Sequence, residues 1–393
     1  MPLSFPGSKS GLVHIENPEN PIELVGRQEE LNTIVKLLKD DRDILVTGAP
    51  GAGRHLVIKQ AAQEIGARLL SIDCIRASDG ESFARLILEA IYSSFGSERS
   101  NYVTETLMSL NNDQGQEIFT SIQLKEGFFQ ARLATNLDKN LVWLAFKEVV
   151  SIIQGLVDKT GDQIVVILRQ FSHINSWDRK RVWEQEFRQT ICSAPDVSYV
   201  ILGTVADEQL DFTGNDEEKF ELVELKPLSR NIINAWVRQT LKTYNLQFNI
   251  VDGALDSFLN SVQGHIGEAR TLLKRLITDC EKGTQIDREQ VDSALTYLLE
   301  DFSSIFESLL LMLPYSQIQL LECFAIEPTA KPHSKEYLSK YGLARGGTLQ
   351  AALKGLQQKG LIYGAERDHQ ITLPLFAYWI KRNKLNKQTE TFF

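Results

Sequence analysis

The sequence predicts an α/β protein: a parallel sheet carrying a phosphate-binding loop, then a helical lid, then a C-terminal winged-helix domain. Three observations lead there. A short apolar run, Ile44-Leu45-Val46, stops at Thr47-Gly48, enters a Gly/Pro loop and gives way to helical spacing from His55. Near-continuous Val/Ile runs recur at 163–168 and 197–203, the pattern of strands covered on both faces. Past Lys226-Pro227-Leu228 such runs fade, and apolar residues fall at helical intervals instead.

Residues 1–20 are rich in Pro, Gly, Ser and Asn without periodicity and are expected to be a leader; 21–228 form the α/β domain. From Val25 the chain turns amphipathic, with Leu31, Ile34, Val35, Leu37 and Leu38 on one stripe. A second strand at 67–73 follows the helix after the loop, which is the rhythm of a parallel sheet. The stretch from Gly80 to Lys159 reads as mostly helical, with interruptions near 96–100 and 111–115. Four helical segments make 229–300 the lid. In 301–393, three helices precede two strand-like pieces, LIYGA and HQITL, the order of a winged helix, and the chain closes on a basic tail.

A net charge of −9 over 393 residues argues against a protein coated in nucleic acid. The charge is uneven: from Leu311 onward eleven basic residues face six acidic ones, so nucleic-acid contact would be confined to that end. Lys381, Arg382, Lys384 and Lys387 supply much of the excess. Cys74, Cys192, Cys280 and Cys323 are far apart without metal-ligand spacing, and read as buried thiols of a reducing compartment. No apolar run approaches the roughly 18–20 residues that span a bilayer, and no secretory segment is visible. The expectation is a cytoplasmic protein with no membrane partner.

Gly48-Ala49-Pro50-Gly51-Ala52-Gly53-Arg54-His55 fills the GxxxxGK[ST] frame between a strand and a helix. Glycines permit the tight turn and let backbone N–H groups face an anion at the helix N-terminus. Arg54 replaces the lysine that reaches the β/γ-phosphates, keeping the charge on a planar fork. His55 replaces the hydroxyl that holds Mg²⁺, and imidazole suits that hard ion poorly. At the end of the 163–168 strand, where Asp and Glu would hold metal and activate water, the chain has Arg169-Gln170. Asp73 and Asp178 are the alternative metal carboxylates.

These segments resemble the AAA+/STAND ATPases, particularly the archaeal-type ATPases and the related origin-recognition initiators. Val25-Gly26-Arg27-Gln28-Glu29-Glu30-Leu31 looks like the box that surrounds the adenine, which implies nucleotide contacts at Gly26 and Arg27. Gly48 to His55 resembles a decayed Walker A and Ile164 to Gln170 a decayed Walker B. The resemblance gives Thr204 the polar sensor 1 role, makes Lys226-Pro227-Leu228 the link into the lid, and makes Arg270 of Gly264-His265-Ile266-Gly267-Glu268-Ala269-Arg270 the sensor 2 arginine. The segments 341–362 and 374–382 look like that branch's winged helix and terminal segment.

The expected function is a regulatory, pseudo-ATPase-like protein, holding ATP or ADP weakly or without Mg²⁺, with no metal site and no catalytic residue of its own. Its third winged-helix helix carries or adjoins Arg345, Thr348, Gln350, Lys354 and Lys359, side chains able to read base edges or neutralise phosphate, and Lys335 and Lys340 lie on the helix before it. A protein partner or a homo-oligomer is the alternative use of that domain. The competing functions are a slow ATPase completed in an oligomer, and a nucleotide-free scaffold in a defence or mobile-element complex.

Overall fold

The computed structural model describes residues 24–95, 100–114, 118–125, 128–133, 139–191, 196–205 and 220–390. The leader and Cys192 lie outside them. Helix α1 (Gln28–Lys39) leads into β1 (Ile44–Gly48), the glycine loop and α2 (Arg54–Glu64). Next come β2 (Arg68–Asp73), α3 (Gly80–Phe95), α4 (Ser100–Gln114), β3 (Phe119–Lys125), β4 (Phe128–Leu133) and α5 (Lys139–Thr160). Strand β5 (Ile164–Arg169), α6 (Val182–Ile191), β6 (Val197–Leu202) and β7 (Glu221–Leu225) complete the first part.

Five strands form a parallel sheet in the order β2-β5-β6-β1-β7. Alternation along β5 divides the core. Val165 and Ile167 pack with α1 and α2, whereas Ile164, Val166 and Leu168 pack with α3 and α5. The predicted stripe of α1 buries Leu31, Ile34 and Leu38, with Val35 and Leu37 at its rim. The crossovers bring the glycine loop to the carboxyl edge of β1, between β6 and β7.

Three readings of this part need correction. Strand β7 was not anticipated: it is the sheet's edge, with Val223 and Leu225 buried and Leu222 half exposed, so it lacks the continuous apolar run that marks β5 and β6. The 80–159 stretch, mostly helical as expected, also holds the strands β3 and β4, which pair antiparallel with Lys125 opposite Phe128 and were not foreseen. Helix α5 carries an 18-residue window of mean hydropathy 1.4, long and apolar enough by that measure to cross a membrane. Its Phe146, Val149, Ile153 and Leu156 are fully or almost fully buried against the sheet, so its apolar surface is core.

The second part contains α7 (Arg230–Thr243), β8 (Gln247–Phe248), α8 (Ala254–Val262), α9 (Ile266–Asp279), β9 (Gln285–Ile286) and α10 (Arg288–Asp301). Its cluster, centred on Val237, Phe258, Leu272 and Val291, also takes in Val25 and Leu228. The third part has α11 (Ser303–Leu311), α12 (Tyr315–Ile326), α13 (Lys335–Tyr341), α14 (Gly347–Gln358) and α15 (Pro374–Glu390). The expected hairpin contracts to a single antiparallel bridge, Ile362 to Ile371, around a 3₁₀ turn at Ala365–Arg367. The basic tail is α15, which buries Leu375, Phe376, Trp379 and Ile380 and pairs Arg382 with Glu300 and Lys384 with Glu322. Cys74 and Cys323 are buried free thiols, and Cys280 is only half-buried.

Phe146 has no exposed surface; its ring stacks on Phe83 at 5.8 Å and meets Trp183 edge-on at 5.2 Å. Phe146→Ala is expected to cost about 3–5 kcal/mol of stability, read as a lowered urea midpoint. An unchanged midpoint would contradict α5 as a core helix.

Candidate nucleotide site

Strand β1 delivers the chain to the glycine loop, and Gly53 turns it into α2 with φ +94°, a conformation that disfavours any side chain. No side chain caps α2 at Gly53, so the first amides of the helix point to the loop's concave side, where an anion would sit. Arg54 reaches across the carboxyl edge of the sheet and donates to the carbonyl oxygen of Gly203, just past β6. His55 follows it in the first turn of α2. Burial, together with the nearby Arg169 and Lys59 cations, holds its pKa below the usual imidazole value. At neutral pH the imidazole is therefore uncharged.

Arg169 ends β5 opposite Asp73, which ends β2, and the two side chains face each other at 3.7 Å. The other oxygen of Asp73, Oδ1, is buried with no partner among the described residues. Asp178 is committed elsewhere: its two oxygens accept the amides of Val182, Trp183 and Glu184, capping α6. A Mg²⁺ ion takes oxygen ligands. The side chains at its expected position are an imidazole, a guanidinium and one carboxylate facing that guanidinium, a set that does not fit the ion.

The lid closes directly on the loop. Gly267, at the start of α9, approaches so near that a Cβ there would stand 2.9 Å from the Gly51 carbonyl oxygen and 3.1 Å from its Cα. Two residues earlier, at the N-cap of α9, His265 lies 2.6 Å from the Pro50 carbonyl oxygen through Nε2, while its Nδ1 accepts the Glu268 amide. Because Nδ1 accepts, the proton sits on Nε2, which donates to Pro50; burial keeps the ring neutral. His265 was not singled out in the sequence, although a polar residue three before an acidic one at a helix start is a capping signal. Arg27 is buried beneath the loop, paired with Glu30 at 2.7 Å and reaching the Ala52 carbonyl at 3.5 Å. Gly26 lies under Ile232 of α7. Arg270 stands one turn beyond Gly267 on α9, half-buried.

The third part also touches this edge. Gly360 packs on Thr204, with the Thr204 hydroxyl 3.3 Å from where a Cβ of Gly360 would lie. Arg367 pairs with Glu224 of β7 at 2.6 Å, Gln370 donates to Gln263, and the Leu375 amide donates to Glu268 at 2.9 Å. Burial pushes the Glu268 carboxyl up to about 8 despite that hydrogen bond. Arg345, Thr348, Gln350 and Lys354 are exposed on or beside α14, away from these contacts. Lys359, also exposed, donates to Gln317, and Lys340 is paired with Glu327. A hollow of about 680 Å³ lies on the lid rather than at the loop, and three of its carboxylates are engaged: Asp292 with Arg288 and Ser257, Asp287 as the α10 cap, and Asp252 with the Ala254 and Arg288 amides.

The family described as "Probable winged helix domain" matches residues 304–382. A search of curated protein sequences gives no match. Among solved structures, the Walker-type ATPase PABY2304 of Pyrococcus abyssi superposes with a TM-score of 0.61 at 16% identity, over 91% of this chain and 96% of that one. The chain thus shares the fold of that Walker-type ATPase, and its last part matches a winged-helix family. Weaker likenesses include the Aeropyrum pernix ORC2 protein, solved as ADPNP–ADP complexes (TM-score 0.45, 13% identity, 93% and 96% covered), and Cdc6p of Pyrobaculum aerophilum (0.43, 13%, 92% and 96%). At those scores neither adds weight to the fold.

Glu268 ties the lid to α15, and its ionisation sets a pH dependence. The folded chain holds this proton to about pH 8 against about 4.5 when unfolded. Between those values the folded state binds more protons, so the contribution is full below about 4.5 and is lost as pH rises through about 8. Asp43, held up to about 7 by burial, acts in the same sense over a lower window. Glu268→Gln is expected to remove the upper part: the variant's urea midpoint should gain on the wild type's between about pH 6 and 8. Parallel profiles would refute the buried carboxyl.

Proposed function

We propose that this chain is a regulatory P-loop protein that holds ATP or ADP without turning it over and engages DNA through its winged helix. The observation that carries the proposal is the loop: a glycine turn before an uncapped α2, with Arg54 at its mouth and, among the described residues, no oxygen ligand set for Mg²⁺. Within Gly48 to Gly53, amides such as those of Gly51 and Gly53 supply backbone donors to the phosphates, Pro50 having no N–H to offer, and Arg54 and His55 flank them. Gly26 and Arg27 border the base, and Thr204 and Arg270 bring β6 and the lid to the phosphates. Without a carboxylate beside the attacking water, hydrolysis loses its activating group.

DNA is favoured over other partners by the outward face of α14, where Arg345, Thr348, Gln350 and Lys354 are all exposed on the basic end of an acidic chain, with Lys359 at its end. A second use of the third part, contact with a protein or a second copy, is favoured by exposed apolar side chains at its entry: Leu311, Met312 and Tyr315 are 87%, 79% and 78% exposed.

Titration calorimetry with ATP and ADP tests the nucleotide half. Binding is expected with either, and Arg54→Ala should weaken it by roughly 10–100-fold, the worth of a charge-assisted hydrogen bond of about 1.5–3 kcal/mol. Steady phosphate release abolished by Arg54→Ala would instead establish the slow ATPase; no binding of either nucleotide would leave the scaffold. For the DNA half, Arg345→Glu and Lys354→Glu should each weaken binding to mixed-sequence duplex and flatten its salt dependence by about one unit of slope. Anisotropy at two salt concentrations measures this, and unchanged binding would exclude the α14 face.

A further inference from the structure

The phosphate loop contains a turn whose central peptide has two possible orientations. Ala49-Pro50-Gly51-Ala52 closes through the Ala52 amide, which donates to the Ala49 carbonyl at 3.1 Å, and Gly51 in third place has φ +83°. Proline second and a positive-φ glycine third mark a type II turn. A type I turn uses the same four residues and the same closing bond. By its dihedral angles it differs chiefly in the central peptide, turned over by roughly 150–170°. Glycine accepts either sign of φ, so these residues alone do not choose between the two. In a trans peptide the Pro50 C=O and the Gly51 N–H point in opposite directions. Turning the peptide over therefore exchanges a donor for an acceptor on each side of the loop.

His265 makes the choice from the lid. Its Nε2 lies 2.6 Å from the Pro50 carbonyl oxygen, which can only accept, so the ring proton is on Nε2. Nδ1 is occupied as well, accepting the Glu268 amide at 3.1 Å as the cap of α9. The ring is buried against the turn: a Cβ on Gly51 would stand 3.0 Å from its Cε1. The Gly51 N–H, aimed the other way, has no partner among the described residues. We infer that His265 is a positioning residue of the nucleotide site: by holding the Pro50 carbonyl on the lid side, it commits the Gly51 N–H to the phosphates. This rests on the nucleotide-binding proposal above and gives the lid a role within that same site. The opposite turn would set a carbonyl oxygen where a phosphate oxygen is to bind, replacing attraction with repulsion. Fixing the peptide beforehand removes that cost from binding. The ligand class is a polyphosphate chain, bare or carried on a nucleoside, because the Gly51 amide meets only phosphate oxygens.

Two variants separate the two bonds of the ring. Asparagine is a strong N-cap whose oxygen stands in for Nδ1, but it is too short to reach Pro50. Glutamine extends an amide N–H to where Nε2 lies, but is not a preferred cap. Thermal melts, and calorimetry with ATP and with tripolyphosphate, are run on the full chain. His265→Asn is expected to keep its melting temperature and lose roughly 2–10-fold in affinity for both ligands, the worth of one net hydrogen bond. His265→Gln is expected to melt lower and bind as the wild type does. The turn itself is read without ligand. Carbon-13 on proline carbonyls and nitrogen-15 on glycine amides leave two correlated pairs, Pro6-Gly7 and Pro50-Gly51. The Pro50-Gly51 signal should move in His265→Asn, stay in His265→Gln, and shift when tripolyphosphate is added to the wild type. Affinity untouched by His265→Asn, affinity falling equally in both variants, or a Pro50-Gly51 signal indifferent to His265→Asn would overturn the inference and leave nucleotide binding standing. No binding by the wild type would overturn the nucleotide proposal, and the Pro50-Gly51 signal would still decide whether His265 sets the turn.

Discussion

The contact between Gly51 and Gly267 is the constraint on which the rest of the site depends. Two backbones meet there with no room for a methyl group, so the lid does not hover over the loop but rests on it. His265 fixes the approach by donating to Pro50 while capping α9, and a neutral ring with one donor and one acceptor is the only state that serves both bonds. Loop and lid are consequently one surface. Ligand oxygens drawn to the α2 amides would lie beside α9, and Arg270 is brought near by the same turn.

That turn also carries the winged helix. Glu268 follows Gly267 and accepts from the start of α15, in a position so buried that its carboxyl is neutral near pH 7. A neutral acid suits the place, since a charge there would need a partner and no cation is bonded to it among the described contacts. From Pro50 through His265 and Glu268 to Leu375, the phosphate loop and the third part are joined by four residues. The 360–372 segment and the start of α15 face inward to this junction, which leaves α14 facing out.

Much of this was legible in the sequence, and the failures share a cause. The β1–loop–α2 unit, β5 and β6 stood out because both faces of a central strand are apolar and because glycines punctuate the turn. Strand β7 is an edge and shows only Val223 and Leu225 to the core, so its five residues resemble a loop. The β3–β4 hairpin has six- and seven-residue strands, too short to overrule a helical expectation set by their neighbours. The lysines and arginines of α15 suggested a solvated tail because the acidic residues that pair with them, Glu300 and Glu322, are remote in sequence. His265 is the extreme case: the carbonyl it holds lies 215 residues away, and no local pattern announces such a bond. Identities at the loop were readable one by one; the union of loop, lid and winged helix was not.

The strength of that union can be bounded. Undocking the third part would break one partly buried ion pair to the sheet, Arg367 with Glu224, and the packing of Gly360 on Thr204. On the lid side it would break the Glu268–Leu375, Gln370–Gln263 and Tyr378–Asn260 hydrogen bonds, the Arg382–Glu300 ion pair and the packing of Leu295 and Leu299 in the third part's apolar core. A net hydrogen bond is worth about 0.5–1.5 kcal/mol, and a partly exposed ion pair about 0–1 kcal/mol. The polar contacts amount to a few kcal/mol, and the burial of Leu295 and Leu299 adds to them. The third part is therefore anchored chiefly on the lid, and Arg367 and Gly360 add its ties to the sheet edge. Thr204 stands next to Gly203, which holds Arg54, so a ligand that takes Arg54 away acts on the residue against which the winged helix rests. The phosphate loop and the third part are thus joined along a short path of contacts, through Arg54, Gly203, Thr204 and Gly360.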